Sequence, residues 1–467
     1  MGRGEVSFEA IFGFVEKAND ALWGCFVLWL LVGSALFMFA YLRAYRILAP
    51  SVVRRVFAVR PDAGNGAIRP FHAFCISLAS CVGTGNLAGV ASAICIGGPG
   101  AMFWMCVMAV FASALSFAEC SLAQLYKRRE GDATYGGPAY YITAGLGWAP
   151  LGAAFAAATV FNQGMMSHIV QSKVMCDAVG EVTGFGAHAV VIVLTALFAL
   201  IAFGGVKRVA RFSSVVVPVM SLGYLVLALY VIATHFGQLP DALALVVRSA
   251  FGWKEVAGGT VGAAIMHGVR RGIFSNEAGE GSSPCAAATA HVAHPAAQGV
   301  VHMLGVFADT LVICSCTALI ILLSGLDYRA EDGIILTGHA MEVHLGAFGR
   351  WFLTAAIVLF AFSTVVGNYF YGETNVRYLT SGRRWLFVYR VASASMVLAG
   401  GFVTLGQAWS AVDFAVALMV IINMVALWMM RGKVKALIED FLPTHRRGGS
   451  PKFDPGLFPG ETLETWR

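Results

Sequence analysis

Charge is what this chain has least of. Only 12% of its 467 residues are Asp, Glu, Lys or Arg, against roughly 25% in a soluble domain. Hydrophobic residues make up 58%, and the mean hydropathy is +0.73. A surface so poor in charge does not keep a globule of this size in water. That excludes a soluble enzyme, a coiled coil, a disordered hub and a nucleic-acid-binding module, and leaves a polytopic membrane protein. Paired cysteine motifs are missing too: the ten cysteines lie nearly all in apolar or small-residue runs, where thiols act as small apolar groups rather than disulfide or zinc partners. A cleavable signal is also absent from this reading, because Glu5, Glu9, Glu16 and Asp20 occupy its basic region. No His-Glu-x-x-His or similar constellation supports an intramembrane enzyme, and nothing repeats like a channel filter.

What is present is long apolar runs. Spans are expected at about 21–42, 71–98, 101–126, 149–177, 188–205, 212–235, 256–290, 298–324, 350–372, 385–406 and 408–431, eleven helices. Runs of this length are helical spans rather than ten-residue barrel strands. With eleven spans, twenty-two Lys and Arg residues fall on one side, in 43–70, 127–148, 206–211, 373–384 and the tail from Arg431. The other side holds six: Arg3, Lys17, Arg248, Lys254, Arg329 and Arg350. The positive-inside rule then makes the N-terminus external and the C-terminus cytoplasmic. The formal charge of +6 therefore reflects topology, not an acidic partner. Asp327, Glu331, Asp332 and Glu342 suit an exposed outer loop at 325–349. The tail after Gly432 lacks apolar periodicity, which predicts partial disorder.

Two spans are interrupted at corresponding places. The second reads Ser80-Cys81-Val82-Gly83-Thr84-Gly85-Asn86, and the seventh Phe274-Ser275-Asn276-Glu277-Ala278-Gly279 followed by Gly281-Ser282-Ser283-Pro284. Each opens a block of five spans, 71–235 and 256–431, and an odd number inverts the second block. Close helix packing alone also favours glycine, but paired breaks are the sequence mark of a secondary transporter. Unwound backbone at that depth survives only around an enclosed site. Freed N–H groups suit a carboxylate, while freed carbonyls suit an ammonium group or a hard cation such as sodium.

At these breaks the sequence resembles the alanine/glycine:cation symporter family, the sodium:alanine symporters of the amino acid–polyamine–cation superfamily. The resemblance runs through 83–100, 117–119, 135–142, 268–279, 298–325 and 362–373, in order along the chain. It implies an all-α membrane protein with a leucine-transporter-type five-plus-five inverted repeat behind one extra N-terminal helix. The expected divisions are 1–70, 71–235, 236–431 and a tail at 432–467. It implies sodium-driven uptake of alanine or glycine across a bacterial inner membrane, with sodium as coupling ion and no cofactor, protein partner or nucleic acid. Carried over by position, Thr84, Gly85 and Asn86 meet the substrate carboxylate, and Phe274, Ser275 and Asn276 meet its amino group. Gln171 and Asn368 are placed at the substrate as well. Sodium falls to the carbonyls of Ala79 and Val82 and the hydroxyls of Ser363 and Thr364.

The chain also departs from the family pattern. Ser167-His168 stands where Gly-Asn is usual, Lys173 comes two residues after Gln171, and Glu280 replaces what is usually a methionine or another uncharged residue. Ionisable groups inside spans point to function, so a proton-coupled or sodium-independent permease is the alternative. Glu119 reads as a cation's partner or a proton relay, and Glu277 as an ion pair with Arg270 or Arg271. Lys173 reads as snorkelling to the surface. His291 and His294, without a third ligand, read as an interface feature. Trp104, Trp148, Trp351 and Trp385 read as interfacial anchors or packing.

Overall fold

The structure is a computed structural model that describes residues 17–19, 21–58, 68–131, 133–252, 261–329, 333–403, 405–446 and 451–466. Backbone that cannot reach water must satisfy its own polar groups, and the apolar runs accordingly form helices. After a π turn at Trp23–Val27 come α1 (Leu28–Tyr41), α2 (Pro50–Ala58) and α3 (Pro70–Cys81). A π turn at Gly85–Gly89 leads into α4 (Val90–Gly97), followed by α5 (Gly100–Leu125). A small antiparallel hairpin, β1 (Arg128–Glu130) and β2 (Ala133–Tyr135), precedes α6 (Pro138–Leu146). Then come α7 (Ala149–Phe161), a π turn at Asn162–Met166, α8 (Ser167–Thr183), α9 (Ala187–Ala202), α10 (Val206–Thr234) and α11 (Leu239–Phe251).

The second half begins with α12 (Val261–Asn276) and the one-turn α13 (Ser283–Ala287). It continues through α14 (Pro295–Val306), a π segment Phe307–Cys314 and α15 (Ser315–Leu323). The last helices are α16 (Gly333–Leu345), α17 (Ala347–Leu379), α18 (Arg383–Ala399) and α19 (Leu405–Arg446). Proline at the first positions of α3, α6, α13 and α14 starts each where an amide donor is not needed. Among the described residues, five helical stretches are long and apolar enough to cross a bilayer, and a sixth if α3 and α4 count as one span bent by 54°. α5 packs on α14, α12 and α1, while α17 packs on α8, α7, α3 and α10.

One expectation is met at the second break, and two change. The run 256–290 is interrupted as expected: α12 and α13 are separated by the irregular segment 277–282, and residues 253–260 lie outside the described residues. The 325–349 connection holds α16, because its Leu336, Ala340 and Met341 supply a buried side as it packs on α17. The tail is ordered where it is described: α19 continues to Arg446, and 451–466 folds back onto the bundle. Phe453, Phe458 and Leu463 are buried there. Phe453 N–H donates to the Ala293 carbonyl at 3.0 Å, Trp466 Nε1 donates to the Gln124 carbonyl at 2.9 Å, and Glu461 pairs with Lys433 at 2.7 Å.

Beneath this segment the end of α5 grips the stretch after α13. Gln124 Nε2 donates to the carbonyls of Ala287 and Ala290, and Thr134 Oγ1 donates to Ala288 at 2.9 Å. Lys127 Nζ donates to Ala290 at 2.8 Å and to Gln124 Oε1 at 2.7 Å, under the Trp466 ring. Burial pulls the Lys127 ammonium down to about 7.

Candidate functional site

The first break lies between α3 and the π turn at 85–89. Val82 leaves helical geometry, with φ −80° and ψ 88°, which swings its carbonyl out of the helix. Gly83 follows, and a Cβ there would overlap the Thr364 hydroxyl of α17. Close approach of α17, rather than chain flexibility, is thus what requires glycine. The second break alternates left-handed residues: Glu277 (φ 55°), Gly279 (φ 88°) and Gly281 (φ 88°). A non-glycine residue held there is a strain that surrounding structure must over-determine. Three hydroxyls do so: Ser80 Oγ donates to Glu277 Oε1 at 2.5 Å, and Ser282 and Ser283 donate to Oε2 at 2.6 and 3.3 Å.

Between the breaks is a cavity of about 40 Å³. Ser80, Gly83, Thr84 and Gly85 line it from the first break, and Phe274, Glu277 and Glu280 from the second. Asn162 and Gln163 of the π turn and Ser167 and Gln171 of α8 complete one side, with Thr364, Asn368, Val412 and Val416 on the other. Thr84 Oγ1, Gln171 Oε1 and Asn162 Oδ1 are buried and have no hydrogen-bond partner among the described residues. Buried polar atoms are normally paired, so three such atoms around one small space fit a polar ligand. Asn368 Nδ2 donates to Ser167 at 2.7 Å, and its Oδ1 meets the Ser80 hydroxyl.

The expected substrate residues divide into two groups. Thr84, Gly85, Gln171, Phe274 and Asn368 line the cavity. Asn86, Ser275 and Asn276 turn their side chains behind it and hold the breaks in shape. Asn86 Oδ1 accepts from Gly83 N–H at 2.9 Å while its Nδ2 donates to Asp309 Oδ1 at 2.6 Å. Ser275 Oγ donates to Asp309 Oδ2 at 2.7 Å. Asn276 Nδ2 donates to Thr310 Oγ1 at 3.0 Å, and its Oδ1 caps Ala278 N–H.

The expected sodium oxygens gather at the α3–α17 contact. Ser363 Oγ lies 3.3 Å from the Ala79 carbonyl. Thr364 Oγ1 lies 3.2 Å from the Ala79 carbonyl and 3.1 Å from that of Ser80. Val82, with its outward carbonyl, is buried one turn further along. Neutral oxygens at carbonyl ends suit a small hard cation.

Asp309 is absent from the sequence-derived site, although a carboxylate in the apolar run 298–324 was a readable signal. Gln163 was missed as well, and its amide Nε2 donates to Glu280 Oε1 at 2.6 Å. Two ion-pair expectations are corrected. Glu277 is held by serine hydroxyls, while Arg270 pairs with Asp413 and the Arg271 guanidinium lies over the Trp409 ring. Glu119 is held by amides, accepting from Gly279 N–H at 3.3 Å and Asn423 Nδ2 at 2.8 Å, because α19 and the second break close around it. Lys173 pairs with Asp177 at 2.5 Å at the surface. His168 is buried edge-on to Phe198, with neither ring nitrogen partnered among the described residues. His294 caps α14 and meets Asp440 at 3.0 Å, and His291 N–H donates to the Ile68 carbonyl. Neither histidine is part of the cavity wall.

The profile of the sodium:alanine symporter family matches residues 8–455. The probable sodium/glutamine symporter GlnT of Bacillus subtilis (strain 168) is 40% identical over 455 residues, 97% of this chain and 95% of that protein. The amino-acid carrier protein AlsT of the same organism is 41% identical over 456 residues, 97% of each. The sodium/alanine symporter AgcS of Methanococcus maripaludis is 35% identical over 439 residues, 91% of this chain and 96% of that one. Among solved structures, a Na+-coupled sialic acid symporter in a substrate-bound outward-open state gives a TM-score of 0.47 at 11% identity, covering 89% of this chain and 87% of that one.

Proposed function

Because the chain belongs to the sodium:alanine symporter family, we propose that it carries small neutral amino acids, alanine or glycine, into the cell with sodium by alternating access. The family is one of transporters, and the chain is not an enzyme. The observation that supports this reading is the pairing of a small cavity, walled by two broken helices and three unpartnered polar atoms, with neutral oxygens on α3 and α17. On this reading the first break takes the substrate carboxylate through backbone near Thr84 and Gly85, and carbonyls around Phe274 take the ammonium. Gln171 and Asn368 contact a zwitterion without adding net charge. Sodium sits among the oxygens of Ala79, Val82, Ser363 and Thr364, so that its binding draws α3 and α17 together beside the substrate.

The proposed setting is a bacterial inner membrane, crossed eleven times, with the N-terminus outside and the C-terminus in the cytoplasm. The two five-helix blocks 71–235 and 256–431 are related by inversion. Proteoliposomes loaded without sodium test the function directly: an inward sodium gradient should drive concentrative alanine uptake, and removing it should abolish accumulation. The buried Glu280 carboxyl on the cavity wall favours one second reading, coupling to protons. Accumulation driven by an inward proton gradient without sodium would select it.

A further inference from the structure

The acceptor corner of the cavity is built by two residues from different elements. Glu280 belongs to the second break and Gln163 to the π turn after α7. Both line the cavity and are nearly inaccessible, at 3% and 5% exposure. The Gln163 amide is spent on Glu280 Oε1, which fixes the carboxyl group in place. Glu277, three residues earlier, has its oxygens occupied by Ser80, Ser282 and Ser283. The sodium oxygens lie on α3 and α17 and do not involve this corner. Phe274, Val412 and Val416 make the neighbouring wall apolar.

A carboxyl group keeps an acceptor oxygen whether ionised or protonated. The backbone of the breaks serves the carboxylate and ammonium that every amino acid shares. Glu280 is therefore left to meet the part that differs between substrates. A methyl group placed there leaves a buried acceptor unpaired, whereas a hydroxyl satisfies it. Sites built around a hydrogen bond discriminate strongly against analogues that lack it. The small cavity restricts the donor to a short side chain.

We propose that Glu280, positioned by Gln163, is a specificity-determining residue that makes this carrier prefer a small amino acid with a side-chain O–H donor, serine in kind, over alanine. The proposal rests on the substrate site described above. It is tested by competition between serine and alanine for uptake into proteoliposomes at fixed sodium, in the unmodified protein and in Glu280→Gln and Glu280→Met. The preference ratio is independent of how much carrier is folded. Serine should be preferred by about tenfold, the amide variant should keep most of that preference because it retains an acceptor, and the thioether variant should shift the ratio toward alanine by about ten- to hundredfold. Gln163→Met should move the ratio the same way.

No serine preference in the unmodified protein, or an unchanged ratio in Glu280→Met, overturns the proposal. So does a Glu280→Gln carrier as altered as the methionine variant, since charge rather than an acceptor would then be at work. Sodium-driven uptake persisting alongside any of these results leaves the substrate site standing and removes only the role of Glu280. Loss of sodium-driven uptake by the unmodified protein removes the site reading itself.

Discussion

Asp309 joins the two broken helices through Asn86: the Asn86 amide that donates to its carboxylate at 2.6 Å also accepts Gly83 N–H. The other carboxylate oxygen takes the Ser275 hydroxyl. One side chain on the α14–α15 helix thus fixes residues that were expected to touch the substrate themselves. Replacing Asp309 by Asn removes the charge that strengthens both bonds. Each charge-assisted bond contributes roughly 1.5–3 kcal/mol, so substrate affinity should fall about ten- to hundredfold. Binding measured by calorimetry on purified protein checks this, and unchanged affinity would detach the shape of the breaks from Asp309.

Ion coupling makes a separate demand on α17. Ser363→Ala and Thr364→Ala each remove one neutral oxygen near the Ala79 carbonyl. The double variant should need a much higher sodium concentration for half-maximal uptake while the protein still folds. Wild-type sodium dependence in that variant would place the ion elsewhere.

Gln171→Ala tests the cavity wall. Its Oε1 is buried and unpartnered, so losing it should weaken alanine binding by about tenfold or more, the cost of one hydrogen bond to a charged ligand group. Leucine and phenylalanine should compete poorly with alanine in the unmodified carrier, given a cavity of about 40 Å³. Equal inhibition by leucine would show that the space is not restrictive.

Lys127 supplies a pH dependence outside the spans. Its folded-state pKa is lowered to about 7, below the ordinary lysine value of ~10.4. The folded protein therefore binds this proton less tightly than the unfolded chain, and the cost of charging Lys127 inside the fold disappears as pH rises. Its contribution to stability should increase between about pH 7 and 10 and stay constant below that window. Melting temperatures of the unmodified protein and Lys127→Met, compared across this range, should converge or cross as pH rises. Parallel curves would show that Lys127 stays charged on its two carbonyl and amide acceptors.

Topology can be read by accessibility. Labels at the N-terminus and in 325–349 should react from the outside, and labels in 206–211 should react only after permeabilisation. Labelling of both termini from the same side would refute eleven spans.

The broken helices were legible because clusters of glycine and polar residues, around Thr84 and from Ser275 to Pro284, interrupt apolar runs at corresponding places in two blocks. The Ser363–Thr364 pair was reached through the family resemblance rather than from composition, and both hydroxyls lie beside the Ala79 carbonyl. Which face of a break looks at the cavity was not legible. Asn86 and Asn276 are as polar as Thr84, and only the position of Asp309 and Thr310 on a helix distant in sequence turns them backward. Asp309 itself escaped because a single carboxylate scarcely lowers the hydropathy of its run. The fold of 451–466 was hidden for a different reason. Its anchors Phe453, Phe458 and Trp466 bind a surface made by other segments, so they need no periodicity of their own.

That terminal stretch changes what an appended sequence would meet. α19 has 42 residues, about 63 Å at 1.5 Å per residue, roughly twice a ~30 Å hydrocarbon layer. Its far part carries the chain to a return path on which Trp466 lies against the α5 terminus. A purification handle or fluorescent protein fused behind Arg467 would therefore begin one residue from a docked surface. A flexible spacer would let such a fusion report on the carrier without levering its last aromatic residue away from Gln124 and Lys127.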